Sequence, residues 1–126
     1  MQHDFYASGN PKKISWTIKT GDSIIEQKRQ HAEMYQDKVN DEQSKYIAFH
    51  VGIFWAIGTF TIKNTDTVNV MIDSKTMYDH LANDESNPEK FIQTRTEFIK
   101  KFIKQRKLKI NYHLIDQKEN LAAKLI

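Results

Sequence analysis

The pattern of apolar and polar positions is clearest over 68–81. Val68, Val70 and Ile72 alternate with Asn69 and Met71, and polar residues bound the run. Alternation with a period of two predicts a buried strand. Asp73-Ser74 ends it and opens a helix over 74–82, with Met77, Tyr78 and Leu81 at helical spacing. A carboxylate at the C-terminal tip of a central strand is where open α/β sheets place their chemistry. Asp or Ser at such a junction is also a common helix N-cap, and on spacing alone the cap is the plainer reading.

The same patterning extends along the chain. Residues 2–8 hold a short strand with Phe5 and Ala7 on one side, and Gly9-Asn10-Pro11 is a turn. Ile14 to Ile18 alternates as a second strand, Thr20-Gly21-Asp22-Ser23 is a hairpin turn, and a third strand starts at Ile24. Its far end, Gln27 to Met34, is polar enough that helix is a rival. Residues 37–44 form a polar connection. Tyr46 to Ile57 is densely apolar over a length that suits a helix buried on most sides, ending at Gly58. Asn87-Pro88 starts the longest helix, whose stripe is Phe91, Ile92, Phe98, Ile99, Phe102 and Ile103. Leu108, Ile110, Tyr112 and Leu114 alternate as a last strand. Asp116-Gln117-Lys118-Glu119 starts a short helix through Leu121, Ala122 and Leu125. The order β-β-β-α-β-α-α-β-α predicts one α/β domain over 1–126. Its expected sheet is five-stranded and mixed, with the first three strands antiparallel and helices on both faces.

Composition narrows the chemistry. The 126 residues are 39% hydrophobic and 28% charged, which fits a folded chain with a real core. There is no cysteine, so disulfides, thiol catalysis and thiolate metal sites are excluded. Met1-Gln2-His3-Asp4 has no apolar signal region, and no apolar run reaches membrane-spanning length, so a cytoplasmic location without membrane partners is expected. The formal charge of +3 permits nucleic-acid binding without requiring it. Lys100, Lys101, Lys104, Arg106, Lys107 and Lys109 cluster with no acid between them. Lys100, Lys101, Lys104 and Lys107 would share one helical face, suited to a phosphate backbone. A solvated helix face is the plainer reading of the same charges. His3, His31, His50, His80 and His113 show no metal-ligand spacing. Tyr112 is expected to face the core, and Trp16, Trp55 and Phe60 to pack against the sheet.

Taken together, these segments resemble the ribonuclease H-like superfamily, and its bacterial type 1 branch in the short form in particular. Gly9-Asn10-Pro11 is similar to the Gly-Asn-Pro turn after the family's first strand. Ser44 to Ile57 resembles its first long helix, with Gly52-Ile53 and Ala56-Ile57 at the small-then-apolar pairs. Ile72-Asp73-Ser74-Lys75 looks like the family's Thr-Asp-Ser-Gln. Asp116 to Ile126 resembles the closing segment, with Ala122-Ala123-Lys124-Leu125 where Ala-Asp-x-Leu is usual.

The resemblance implies cleavage of the RNA strand of RNA–DNA hybrids with two magnesium ions. Two cations about 3.5–4 Å apart clamp the attacking water and the leaving oxygen, and magnesium takes hard carboxylate oxygens. Asp73 matches the family's fourth-strand aspartate. Counting back from Asn10 places Asp4 at the first-strand aspartate, whereas matching Ala7-Ser8 places Phe5 there. Phe49, or Ala48 after a one-residue shift, stands at the first-helix glutamate. Ala123, or Lys124, stands at the last acid. Glu42, Asp79, Asp84, Glu89 and Glu119 are the acids left to replace the missing ones.

The resemblance therefore implies a degenerate member that binds nucleic acid, an RNA–DNA hybrid or RNA, or serves as an assembly module, with no cofactor. Asn10, Ser74, Lys100, Lys101, Lys104 and Lys107 are the candidate nucleic-acid contacts. The alternatives are an active hybrid nuclease using Asp73, Asp4 and a displaced acid with magnesium or manganese, and a protein-interaction module with a protein partner or a second copy.

Overall fold

The computed structural model describes residues 1–126, and in it the alternating segments become five strands. They are β1 (Gln2–Gly9), β2 (Lys13–Thr20), β3 (Ser23–Gln30), β4 (Thr67–Ile72) and β5 (Lys109–Leu114). One sheet contains them in the order β3-β2-β1-β4-β5. β1, β2 and β3 pair antiparallel, while β1–β4 and β4–β5 are parallel. Gly21, at φ +59, supplies the left-handed residue of the turn into β3. β3 stays a strand to Gln30, so the helical rival there falls. Its exposed Glu26, Lys28 and Arg29 suit a sheet edge, where charge discourages further pairing.

Three helices follow from the remaining apolar patterns: α1 (Asp41–Gly58), α2 (Lys75–Ala82) and α3 (Lys90–Gln105). α1 begins earlier than its apolar run because Asn40 and Gln43 form a capping box. Gln43 N–H donates to Asn40 Oδ1 at 2.8 Å and Asn40 N–H to Gln43 Oε1 at 2.9 Å. With 18 residues α1 is also longer than α3, with 16, contrary to expectation. α3 starts at Lys90 rather than at Pro88, because Asn87 Oδ1 accepts from Glu89 N–H and closes a turn before the helix. Ser74 is the N-cap of α2, accepting from Met77 N–H at 3.2 Å, which leaves Asp73 free of the capping role. No helix is long and apolar enough to cross a membrane.

α1 lies on the sheet face that carries Phe5, Trp16 and Val70, all buried. Trp55 is half-buried against Trp16, but Phe60 is 76% exposed, so only part of that aromatic set packs on the sheet. Tyr112 meets the edge of Phe49 on the core side, and burial, then Asp84, push its hydroxyl up to about 12. The opposite face is crossed by residues 115–126. The helix expected there is two 3-10 turns, Gln117–Glu119 and Ala123–Leu125, separated by Asn120 in extended backbone.

The Gly-Asn-Pro turn is fastened to the start of α1. A Cβ on Gly9 would lie 2.8 Å from the Ser44 carbonyl carbon, so glycine allows strand and helix to touch. His31 Nε2 reaches the Asn10 carbonyl at 2.9 Å and Ser44 Oγ at 2.7 Å, closing the corner. Gly9→Ala is expected to lower stability by about 1–3 kcal/mol in urea unfolding, since the Ser44 backbone as well as its side chain must give way. An unchanged midpoint would show that the contact is not tight.

α3 packs on α1 through Arg95, which donates to His50 Nδ1 at 3.0 Å and to the Tyr35 hydroxyl at 2.7 Å. Burial, then the Arg95 charge, lower the His50 pKa below its ordinary value. The unfolded chain therefore binds the extra proton first as pH falls. The stability His50 contributes is present above its unfolded pKa of about 6.5 and is lost as pH drops through the lower folded value. Thermal melting is expected to fall between pH 7 and pH 5, and His50→Gln to lessen that fall. An identical pH profile in the variant would contradict the assignment.

Candidate functional site

The tip of β4 places Asp73 below the surface, with its side chain 3% exposed. Two groups hold it there. Lys45 Nζ, on the first turns of α1, lies 3.1 Å from Oδ1. Asn120 Nδ2 donates to Oδ2 at 2.9 Å and also to the Ala7 carbonyl at 3.0 Å. Asn120 is itself fully buried, and its Oδ1 accepts from Ala122 N–H. Ser15 Oγ then donates to the Ala122 carbonyl at 2.7 Å. The extended Asn120 that interrupts the closing helix thus ties the C-terminal segment to β1 and Asp73, and Ala122 ties it to β2.

Beside Asp73 is a cavity of only about 10 Å³, lined by Ala7, Lys45, Phe49, Ile72 and Met77 among others. That is room for about one water molecule. Phe49 is fully buried and packs on Phe5 with ring centroids 5.8 Å apart. Lys45 sits one helical turn before Phe49, so its amine reaches Asp73 along the same face of α1.

The remaining candidates do not converge on Asp73. Asp4 pairs with Asn69, four residues before Asp73, and its Oδ1 accepts from Asn69 Nδ2 at 3.0 Å. At strand rise that separation is about 13 Å. The β1 residue in the small cavity is Ala7, while Phe5, the other register, lies under Phe49. Ala123 stands in the last 3-10 turn, and Lys124 is exposed. Of the displaced acids, Glu42 comes nearest in connectivity, accepting from the Ser74 hydroxyl at 2.9 Å. Asp79 pairs with Lys75, Asp84 with Lys100, and Glu119 accepts from Asp116 N–H. No cluster of three or more Asp, Glu or His side chains is arranged to hold a metal ion.

The candidate nucleic-acid contacts are also dispersed. Asn10 Oδ1 accepts from Lys12 and Lys13 N–H, so it shapes its own turn. Lys100, Lys101 and Lys104 project from α3, with Lys100 3.5 Å from Asp84. Lys107 lies past the end of α3 at φ +54, so it does not share their helical face. The sequence reading missed Lys45, Asn120 and His31. Lys45 was detectable one turn before Phe49, and Asn120 served to align the closing segment, but nothing in the spacing marked its bond to Asp73 or the role of His31.

Neither a family model nor a curated protein matches the chain by sequence. Solved structures match it by fold. RNase H1 from the halophilic archaeon Halobacterium salinarum NRC-1 superposes with a TM-score of 0.80 at 14% identity, over 99% of this chain and 93% of that one. The N-terminal RNase H domain of a Mycobacterium tuberculosis protein gives 0.80 at 14% identity, over 98% and 89%. LC11-RNase H1, solved in complex with an RNA/DNA hybrid, gives 0.74 at 12% identity, over 98% and 91%. At such identities the likeness concerns the fold, and the chain has the ribonuclease H-like fold.

Proposed function

We propose that this chain is a catalytically degenerate ribonuclease H-like domain that binds nucleic acid, an RNA–DNA hybrid or RNA, without cleaving it. The observation that carries the reading is the Lys45–Asp73 contact of 3.1 Å. A pair of divalent ions needs several carboxylates around it to offset four positive charges. Here one carboxylate is present in the cavity, its charge is already offset by an ammonium on one oxygen, and an amide is bonded to the other. Phe49, Ala7 and Met77 supply apolar surface where further ligands would have to stand. The residues at the β4 tip do not fit two metal ions.

What remains is the capacity to bind. One structural neighbour is solved with an RNA/DNA hybrid, which makes the hybrid the first ligand to try. Lys101 and Lys104 are exposed and have no carboxylate partner. Cations of that kind suit a phosphate backbone and make binding salt-dependent. An active nuclease that draws on Asp4 and a displaced acid is the competing reading; Glu42, held by Ser74, is the acid it would use.

A labelled RNA–DNA hybrid separates the two. The protein is expected to bind it more weakly as salt rises, and to leave it intact in magnesium and in manganese. Replacing Lys100, Lys101 and Lys104 by Glu is expected to weaken binding roughly tenfold or more. Metal-dependent cleavage that disappears in Asp73→Asn would overturn the degenerate reading. Absence of any salt-sensitive binding would overturn the nucleic-acid reading in favour of a protein-interaction module.

Lys45→Met is a second test. It leaves a buried carboxylate with one partner, and is expected to cost on the order of 3–5 kcal/mol. Adding Asp73→Asn to that variant is expected to recover part of the loss in chemical unfolding. Recovery by added magnesium instead would mean that Lys45 merely blocks a working metal site.

A further inference from the structure

The outer side of the α1–α3 pair carries a groove that the β4 site does not use. Two adjoining hollows of about 590 and 350 Å³ form it, sharing His50 and Phe98. Their aromatic lining is unusual for a surface: Phe54 is 61% exposed and Phe98 56% exposed, with Phe91 and Phe102 beside them. Phe98 stacks flat on His50, at 7° between planes, and Phe54 meets Phe102 edge to face. The cations of the lining are Lys90, Arg95, Lys101 and Arg106, and the lining contains no acid. Arg95 lies over the Tyr35 and Phe91 rings, and Arg106 over Phe102, so both guanidinium groups are held in place along the groove.

We propose that this groove binds single-stranded nucleic acid, its bases stacking on Phe54 and Phe98 and its phosphates meeting Lys90 and Arg106. The proposal rests on the nucleic-acid reading above and adds to it a second surface and a different strand form. Three features of the lining select this occupant. Flat rings interleaved with fixed cations are what sequence-independent single-strand sites are made of. The two hollows contain no Leu, Ile, Val or Met, the side chains that hold an amphipathic helix in a groove. A second copy of this chain would set one acid-free cationic rim against another. α3, with 16 residues, runs about 24 Å, enough for the few nucleotides of a minimal site.

The test is fluorescence anisotropy with a labelled oligothymidylate and, in parallel, a blunt RNA–DNA hybrid. Wild type, Phe54→Ala, Phe98→Ala and Phe98→Trp are compared, with melting curves for each. Both Phe side chains are more than half exposed, so the variants are expected to fold. Oligothymidylate binding is expected to weaken roughly tenfold in each Ala variant and to be kept in Phe98→Trp. Hybrid binding is expected to change little in all of them. Oligothymidylate binding that is absent or unchanged by the Ala substitutions overturns the groove proposal while leaving hybrid binding to judge the earlier reading. Binding of oligothymidylate alone upholds the groove and removes the hybrid. Loss of both probes in the Ala variants means one shared surface and overturns the separate site. Self-association by sedimentation that vanishes in Phe98→Ala overturns it in favour of a second copy.

Discussion

The ammonium of Lys45 against the buried carboxylate of Asp73 is the contact around which the rest of this structure is arranged. Removing two charges from water is costly, and the pair is tolerated only where further hydrogen bonds complete it. Asn120 provides that completion on the second oxygen. In doing so it bridges to the β1 backbone and breaks the closing segment into two 3-10 turns. One ion pair thus couples the tip of β4, the first turns of α1 and the C-terminal residues. The same arrangement offsets the Asp73 charge with an ammonium where a nuclease would need metal ions, which is the physical basis for proposing a binder rather than a nuclease.

Much of the fold was legible because its signals are local. Period-two alternation located β2, β4 and β5, turn signals bounded β1 and opened β3, and the Ser74 cap lay at the predicted junction. The resemblance was carried by turns and small-residue pairs whose roles are steric. Gly9 touches the backbone of Ser44, and a Cβ on Gly52 would lie 2.6 Å from Phe5. Such requirements survive when most other positions change, which is consistent with a TM-score of 0.80 at 14% identity. Helix starts were less legible where side-chain caps set them, as at Asn40, or delayed them, as at Asn87.

The site was less legible than the fold because its contacts join distant parts of the chain. Asp73 was found by its place at a strand tip, yet its partners lie 28 residues before it and 47 after it. Gap-free counting placed Asp4 at the first-strand position. Parallel pairing with Asn69 instead holds it low on the strand, and Ala7 is the β1 residue that reaches the tip. Lys107 likewise continued the helical period on paper, but its positive φ takes it off α3. The resemblance implied that acids are missing at Phe49 and Ala123. The lysine that pairs with Asp73 became visible only when α1 was folded onto the sheet.

Cationic and aromatic side chains are distributed away from this centre, so the proposed binding does not depend on it. The lysines of α3 and the Phe54–Phe98 groove both lie outside the Asp73 cavity. The central claim is that Lys45 takes the place of metal at Asp73, and anomalous scattering from crystals soaked in manganese measures it directly. The expected result is Lys45 Nζ in contact with Asp73 and no manganese peak beside it. Two ordered ions flanking Asp73, with Lys45 swung away and carboxylates gathered around them, would contradict it.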